Sequence, residues 1–159
     1  MKMGIDVGGV IMDKTNDETD TSFFSGNYLE SRATKDCFAA IRRLVNRFGD
    51  GNVVIISKCG ESTQKKTLEW FKHHDFYNLT GMYENDVHFC RKREEKAPIA
   101  EKLHLTHFVD DRLEVLSYMT SVPHRFLFQP TPSEVEKFVK HLKDVKTVYS
   151  WLEVLEALP

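Results

Sequence analysis

The 159 residues suffice for one domain with its own hydrophobic core. Hydrophobic residues make up 41% and charged residues 29% of the chain, which is average globular usage and excludes a disordered polyelectrolyte. With 22 basic and 24 acidic residues, the net charge of -2 argues against a chain-wide attraction to nucleic acid or to an anionic membrane.

The sequence offers no sign of a membrane or secretory segment. The longest purely aliphatic run, residues 53–56, is too short to cross a bilayer, and Asp6 interrupts the apolar start of the chain, where a signal peptide would need an unbroken apolar run. The three cysteines are odd in number and lack a C-x-x-C spacing, which is typical of free thiols in a reducing compartment. We therefore expect a cytoplasmic protein that folds as a single domain over residues 1–159.

Short apolar runs alternate with amphipathic segments along the chain. The apolar runs predict five buried strands, at residues 3–7, 53–56, 87–90, 106–109 and 124–129. Segments with apolar residues at helical spacing predict helices at residues 34–48, 61–74, 94–103, 112–119, 133–142 and 148–158. This alternation predicts an α/β fold, a doubly wound, Rossmann-like, five-stranded parallel sheet with helices on both faces.

One long segment fits neither pattern. Residues 13–31 are polar and aperiodic, with Phe23, Phe24 and Tyr28 set into them. Loops of this length inside compact domains are usually lids, binding loops or disordered. We expect residues 13–33 to form a flexible loop, or flap, over a site.

Polar residues follow the predicted strands at the edge where doubly wound sheets bind their ligands. They are Asp6, Gly8, Ser57, Asp110 and Asp111, together with Lys96 at the start of a helix. Facing carboxylates suit Mg²⁺, and a hydroxyl beside backbone amides of a turn suits phosphate oxygens. A carboxylate can also act as a nucleophile that forms an acyl-phosphate.

Four segments in this order resemble the four motifs of the haloacid dehalogenase-like (HAD) hydrolase superfamily. They are GIDVGGVIMD, VVIISKCGE, Lys96 and HFVDDRLEVL. They are similar to a first motif of strand plus Asp, a second of strand plus Ser or Thr, a lysine third and an acidic fourth. The resemblance runs from about residue 3 to about residue 117, so it covers most of the chain.

The resemblance implies a Mg²⁺-dependent phosphohydrolase, a phosphatase that works through an aspartyl-phosphate. It makes Asp6 the nucleophile and a metal ligand, and it assigns further metal ligands to the Gly8 carbonyl and Asp110. Asp111 would be an outer or alternate ligand. The backbone of the turn that contains Gly8 would also contact the phosphate.

The same resemblance assigns the phosphate-binding residues. Ser57 and the backbone of Lys58 would bind the transferred phosphoryl group, and Lys96 would position the nucleophile and the phosphate. Lys92 and Lys102 compete for the lysine role, but Lys96 better matches the helix-start position.

The first motif departs from the phosphatase pattern at one position. Phosphatases of this superfamily carry a second Asp two residues after the nucleophile, where this chain has Gly8. That Asp is the expected general acid and base, a contribution of about 10²–10⁴-fold in rate. Asp13, Asp17 or Glu18 could substitute for it, so we expect activity that is weakest on esters with poor leaving groups.

The intervals between the motifs are short. The predicted elements fill the chain from Asp6 to Ser57 and from Ser57 to Lys96, which leaves no room for a cap domain. A capless site is open, so we expect a phosphorylated substrate, small or macromolecular, and a homo-oligomer or protein partner that covers the site. A membrane or nucleic-acid partner is not expected.

Other interpretations compete with the phosphatase hypothesis. Gly8 and the missing cap are also consistent with a catalytically silent HAD-like domain that acts as a binding or regulatory module. A phosphoacceptor receiver domain would carry its acidic pair after the first strand, and here the pair follows the fourth. Aspartates after strands can simply cap the next helix. Cys59, two residues past Ser57, is either a reactive thiol or an inert core thiol.

Overall fold

The computed structural model describes residues 1–13 and 27–158 and contains a parallel sheet of six strands. The strands are β1 (Met3–Ile5), β2 (Val53–Lys58), β3 (Val87–Cys90), β4 (His107–Asp110), β5 (His124–Phe128) and β6 (Lys146–Val148). Their order across the sheet is β3-β2-β1-β4-β5-β6, and every neighbouring pair is parallel. The predicted α/β, Rossmann-like fold is therefore confirmed.

The prediction of five strands was wrong, because the sheet has a sixth strand at its edge. Lys146–Val148 pairs with β5, where the sequence predicted no strand and placed residue 148 at the start of the last helix. The strand has three residues and begins with an exposed lysine, so it is too short to produce a recognisable apolar run.

Seven α-helices lie in the described residues. They are α1 (Cys37–Phe48), α2 (Glu61–His73), α3 (Phe76–Thr80), α4 (Lys96–Lys102), α5 (Leu113–Tyr118), α6 (Pro132–Lys137) and α7 (Trp151–Glu156). All six predicted helices extended beyond the observed ones at one end or both. A 3₁₀ turn, Arg93–Glu95, directly precedes α4, and the chain after α6 is a 3₁₀ helix from Val139 to Asp144. The short helix α3 was not predicted.

Both faces of the sheet are covered, as the continuous apolar strands indicate. In β2, Val53 and Ile55 pack into a core with α1, α2, α3 and α7, and Val54 and Ile56 pack into a second core with α4 and α5. Gly4 in the central strand allows close packing, since a Cβ there would lie 2.5 Å from the ring of Phe108. Among residues 1–13 and 27–158, no cap domain accompanies this sheet.

The predicted flap falls partly outside the described residues, which omit 14–26 and so Phe23, Phe24 and the candidate acids Asp17 and Glu18. The part that follows is fastened to α2. Trp70 donates its indole N–H to the Ser31 carbonyl at 2.9 Å, and His74 donates Nε2–H to the Leu29 carbonyl at 2.7 Å. A 3₁₀ turn, Tyr28–Glu30, contains Leu29 and ends directly before Ser31. This part of the chain thus has a defined place against the helix.

No helix within residues 1–13 and 27–158 combines the length and the apolar character needed to cross a bilayer.

A buried histidine at the amino edge of the sheet makes stability depend on pH. His107 is 3% exposed and stacks on His124, with 4.6 Å between ring centroids. Burial, followed by the charge of His124, lowers the pKa of His107 to about 4. The unfolded chain takes up this proton near pH 6.5, so the contribution of His107 to stability is lost as the pH falls from 6.5 towards 4.

We expect this histidine to cost the protein about 2 kcal/mol of unfolding free energy between pH 7 and pH 5. The measurement is urea unfolding of the wild type and of His107→Gln at both pH values. Subtracting the two removes the contributions of titrating groups that do not interact with His107. A difference between the two proteins that stays constant between pH 7 and pH 5 would show that His107 does not carry the dependence.

Candidate active site

The chemically active side chains meet at the carboxyl edge of the sheet. Asp6 follows β1, which lies between β2 and β4, and its backbone N–H bonds the Val109 carbonyl of β4 at 3.0 Å. Asp110 is the last residue of β4, so the two aspartates end neighbouring strands. The strands β2 and β3 lie on one side of β1, and β4, β5 and β6 lie on the other. The strand order therefore reverses at β1, and such sheets bind ligands at the carboxyl edge of this switch point.

A buried ammonium group joins these two carboxylates. Lys96, the first residue of α4, places Nζ 2.8 Å from Asp6 Oδ1 and 2.8 Å from Asp110 Oδ2. Its side chain is 4% exposed. Burial by itself lowers the pKa of Lys96, but Asp110 and Asp6 outweigh burial and the net shift is upward. Lys96 is therefore a permanent cation at neutral pH.

One ammonium does not neutralise two carboxylates, so the cluster keeps a net negative charge. Burial and then the charge of Asp6 raise the pKa of Asp110 to about 6, although Lys96 and the Arg112 backbone N–H, 2.9 Å from Asp110 Oδ1, oppose the rise. The negative charge of Asp6 contributes to both upward shifts, that of the Asp110 pKa and that of the Lys96 pKa. Such a site attracts a cation.

The two carboxylates differ in their access to solvent. The Asp6 side chain is 11% exposed and the Asp110 side chain 1% exposed. Both oxygens of Asp110 already accept hydrogen bonds, whereas Lys96 engages Oδ1 of Asp6. Asp6 is consequently the carboxylate that an external molecule can reach.

Asp111 completes an acidic cluster. Asp6, Asp110 and Asp111 each offer an oxygen, and these oxygens lie within 4.8 Å of one another. Asp111 is half-buried, and the other two are buried. Three carboxylate oxygens at this spacing fit the hard, oxygen-rich coordination of Mg²⁺.

A tight turn follows Asp6 and brings Gly8 to the surface. The Val7 carbonyl accepts hydrogen bonds from the amides of Val10, Ile11 and Met12, at 2.9 to 3.2 Å, and Gly9 takes the left-handed φ of 77° that the turn requires. None of these bonds uses the Gly8 carbonyl, so it remains available as an oxygen ligand. A Cβ on Gly8 would meet no atom within 4 Å.

The second strand delivers Ser57 to the same edge. Ser57 is buried in β2, and Lys58, the last residue of β2, is exposed. The 13-residue helix α2 begins at Glu61 without a side-chain cap, so its first amides are free to bind an anion. Ser57 and the amides that follow it thus form a second polar group beside the acidic cluster.

Cys59 lies between these groups. The pKa of its thiol responds to the Ser57 side chain and to the charges on Arg91, Lys58 and Asp6. Burial is the largest of these influences and raises the pKa, so the thiol is protonated at neutral pH. A reactive thiolate is not favoured here.

The competing lysines lie elsewhere. Lys92 and Lys102 are exposed, and Lys96 alone of the three is buried against the carboxylates. Asp13, one of the candidate substitutes for the missing acid, is exposed and donates its backbone N–H to the Arg32 carbonyl.

Sequence reasoning missed Arg91, whose guanidinium bonds the Cys59 carbonyl at 2.8 Å. Within a run of charged residues, nothing distinguished it from a solvated side chain.

Comparison with known proteins places this architecture. No protein-family model matches the sequence, and no curated protein matches it. The crystal structure of a protein from Burkholderia xenovorans LB400, described as a haloacid dehalogenase-like hydrolase, matches with a TM-score of 0.60 and 19% identity. The match covers 87% of this chain and 65% of that chain, so this chain spans about two thirds of its length.

A second match is a de novo designed protein with a Rossmann 3x3 fold. It has a TM-score of 0.46 and 10% identity, over 99% of this chain and 94% of that chain. The first match shows that this chain has the haloacid dehalogenase-like fold.

Proposed function

We propose that this protein is a Mg²⁺-dependent phosphohydrolase that cleaves phosphate monoesters through an aspartyl-phosphate on Asp6. The observation that carries the proposal is the Lys96 ammonium 2.8 Å from both Asp6 and Asp110, with Asp6 the more exposed carboxylate. A structural ion pair needs one partner of each sign, and the extra buried carboxylate has a cost in stability that a ligand site explains.

In the first half of the reaction, the free oxygen of Asp6 attacks phosphorus. The bond from phosphorus to the ester oxygen breaks, and the leaving group departs with both electrons of that bond and takes a proton from solvent. Lys96 holds Asp6 in its attacking position through the bond to Oδ1. Ser57 and the first amides of α2 would bind the phosphoryl oxygens.

In the second half, water attacks the phosphorus of the aspartyl-phosphate. The bond between phosphorus and Asp6 breaks, which releases inorganic phosphate and restores the carboxylate. No carboxylate follows Asp6 at the second position, because Gly8 stands there. The water must then lose its proton to solvent, so we expect this half to be slow.

The donor set also supports the metal part of the proposal. Asp6, Asp110 and the Gly8 carbonyl would hold Mg²⁺, with Asp111 as a further or outer ligand. When bound there, the ion would offset the negative charges of the carboxylate and the phosphate as they approach each other.

Hydrolysis of p-nitrophenyl phosphate tests the proposal, because its leaving group departs readily without a general acid. We expect Mg²⁺-dependent release of p-nitrophenol by the wild type, and a loss of this activity in Asp6→Asn and on addition of a chelator. Asp111→Asn serves as a matched control that removes the same charge from the same cluster and should retain part of the activity. Activity that survives Asp6→Asn unchanged would exclude Asp6 as the nucleophile.

Gly8 favours one alternative, a catalytically silent domain that binds a metal or a partner. The same assay separates the two functions. If wild type and Asp6→Asn are equally inactive while Mg²⁺ still raises the melting temperature of the wild type only, the site is a binding site rather than an active site.

A further inference from the structure

The most distinctive cation near the site is Arg91, immediately after β3. Its Nη1 donates to the Cys59 carbonyl at 2.8 Å and its Nη2 to Gln64 Oε1 at 2.9 Å. Both acceptors are neutral, and these two bonds use two of the five N–H groups of the guanidinium. The side chain is thus fixed in place with most of its donors unused.

Arg91 lacks a counter-charge in the described part of the chain. None of the ion pairs formed by residues 1–13 and 27–158 includes it, whereas the neighbouring Arg93 pairs with Glu114 and Arg112 pairs with Glu134. The nearby carboxylate of Glu95 accepts instead from the backbone amides of Arg91 and Lys92, at 3.1 and 2.7 Å. An ordered but unpaired arginine is suited to binding an anion.

Cys59 links this arginine to the proposed phosphate position. Its carbonyl accepts a hydrogen bond from Arg91, and Cys59 lies two residues after Ser57, just past the end of β2. Two chain steps and one hydrogen bond therefore separate the Cα of Ser57 from the guanidinium, a span of at most about 12 Å. A leaving group the size of one aromatic ring reaches across this span.

Space for a leaving group is present beyond Arg91. A groove of about 600 Å³ follows the outer side of β3 between α2 and α4. Its lining includes Arg91, Lys102, Gln64, His88 and Phe89, and no aspartate or glutamate is among the lining residues. The groove is therefore positively charged and partly apolar.

We infer that Arg91 binds a second anionic group of the substrate, a carboxylate or phosphate carried by the leaving group. The substrate class is then a phosphate monoester with a further negative charge about one ring length from the reacting phosphate. This inference rests on the proposed function, since it takes the reacting phosphate to lie beside Asp6 and Ser57.

The test compares phenyl phosphate with 4-carboxyphenyl phosphate, whose leaving groups differ mainly in the added carboxylate. We expect kcat/KM of the wild type to favour the carboxylated ester by about 10- to 100-fold, the range for one charge-assisted contact. Arg91→Gln should remove this preference, and Arg91→Lys should retain part of it. Arg43→Gln makes the same chemical change at an exposed position on α1 and should retain the full preference.

The outcomes separate this inference from the proposed function. Asp6-dependent hydrolysis of both esters with no preference, or a preference that survives Arg91→Gln, overturns the role of Arg91 and leaves the phosphatase proposal intact. Calorimetric titration of both esters into Asp6→Asn gives an independent readout without turnover. If Asp6→Asn binds the carboxylated ester more tightly and the double variant with Arg91→Gln does not, the subsite is supported even if neither ester is hydrolysed. Equal binding of the two esters by Asp6→Asn overturns it.

Discussion

Replacing Lys96 by methionine is expected to lower the free energy of unfolding by about 3–5 kcal/mol at pH 8, the usual cost of removing one partner from a buried ion pair. The methionine fills a similar volume, so the loss is electrostatic rather than a matter of packing. Without the ammonium, the buried carboxylates of Asp6 and Asp110 face each other with no counter-charge. Phosphatase activity should also fall sharply, since Lys96 fixes the position of Asp6.

The pH dependence identifies the cause. Removing the ammonium raises the pKa of the Asp110 carboxyl further above its unfolded value, so the cost is present above the folded pKa and vanishes as this carboxyl protonates on acidification. Urea unfolding should show a large difference between Lys96→Met and wild type at pH 8 and a smaller one at pH 5. Adding Asp110→Asn to Lys96→Met should recover part of the lost stability. Lys92→Met, at an exposed position, is the control and should change stability by no more than about 0.5 kcal/mol.

The edge at which the site lies could be predicted because it depends on topology alone. Parallel strands end at one edge of a sheet, so residues that follow β1, β2 and β4 in the sequence must approach one another. The apolar strands were recognisable because both faces of the sheet are buried, as Val54 and Ile55 of β2 show by packing into opposite cores. The roles assigned to these residues stay predictions.

Other features depend on three-dimensional contacts that no local pattern records. The strand β6 has three residues and takes its conformation from pairing with β5. The helix α3 has five residues, and Phe76 stacks on Phe71 of α2 with 4.3 Å between ring centroids. The fixed position of Arg91 comes from Cys59 and Gln64, which lie 32 and 27 residues away in the sequence. Such elements are specified by their neighbours rather than by their own composition.

Gly8→Asp is expected to increase the hydrolysis of esters with poor leaving groups by up to about 10²–10⁴-fold, the usual contribution of a general acid and base. The substitution would supply the carboxyl that the resemblance to HAD phosphatases places two residues after the nucleophile. A side chain at this position has room, because a Cβ on Gly8 meets no atom within 4 Å. The residue is also exposed and lies outside the left-handed φ region, so the backbone accepts an L-residue without strain.

The choice of substrates makes this prediction specific. Acid catalysis helps a leaving group in proportion to its basicity, so phenyl phosphate should gain more than p-nitrophenyl phosphate, which leaves without assistance. Gly8→Asn has the same shape without the carboxyl and is the matched control, and Gly8→Ala reports the effect of adding a Cβ alone. If Gly8→Asp and Gly8→Asn change the two rates equally, the gain does not come from proton transfer. If Gly8→Asp folds normally and hydrolyses phenyl phosphate no faster than wild type, then the missing carboxyl does not limit the reaction, and another group in this chain already moves the proton.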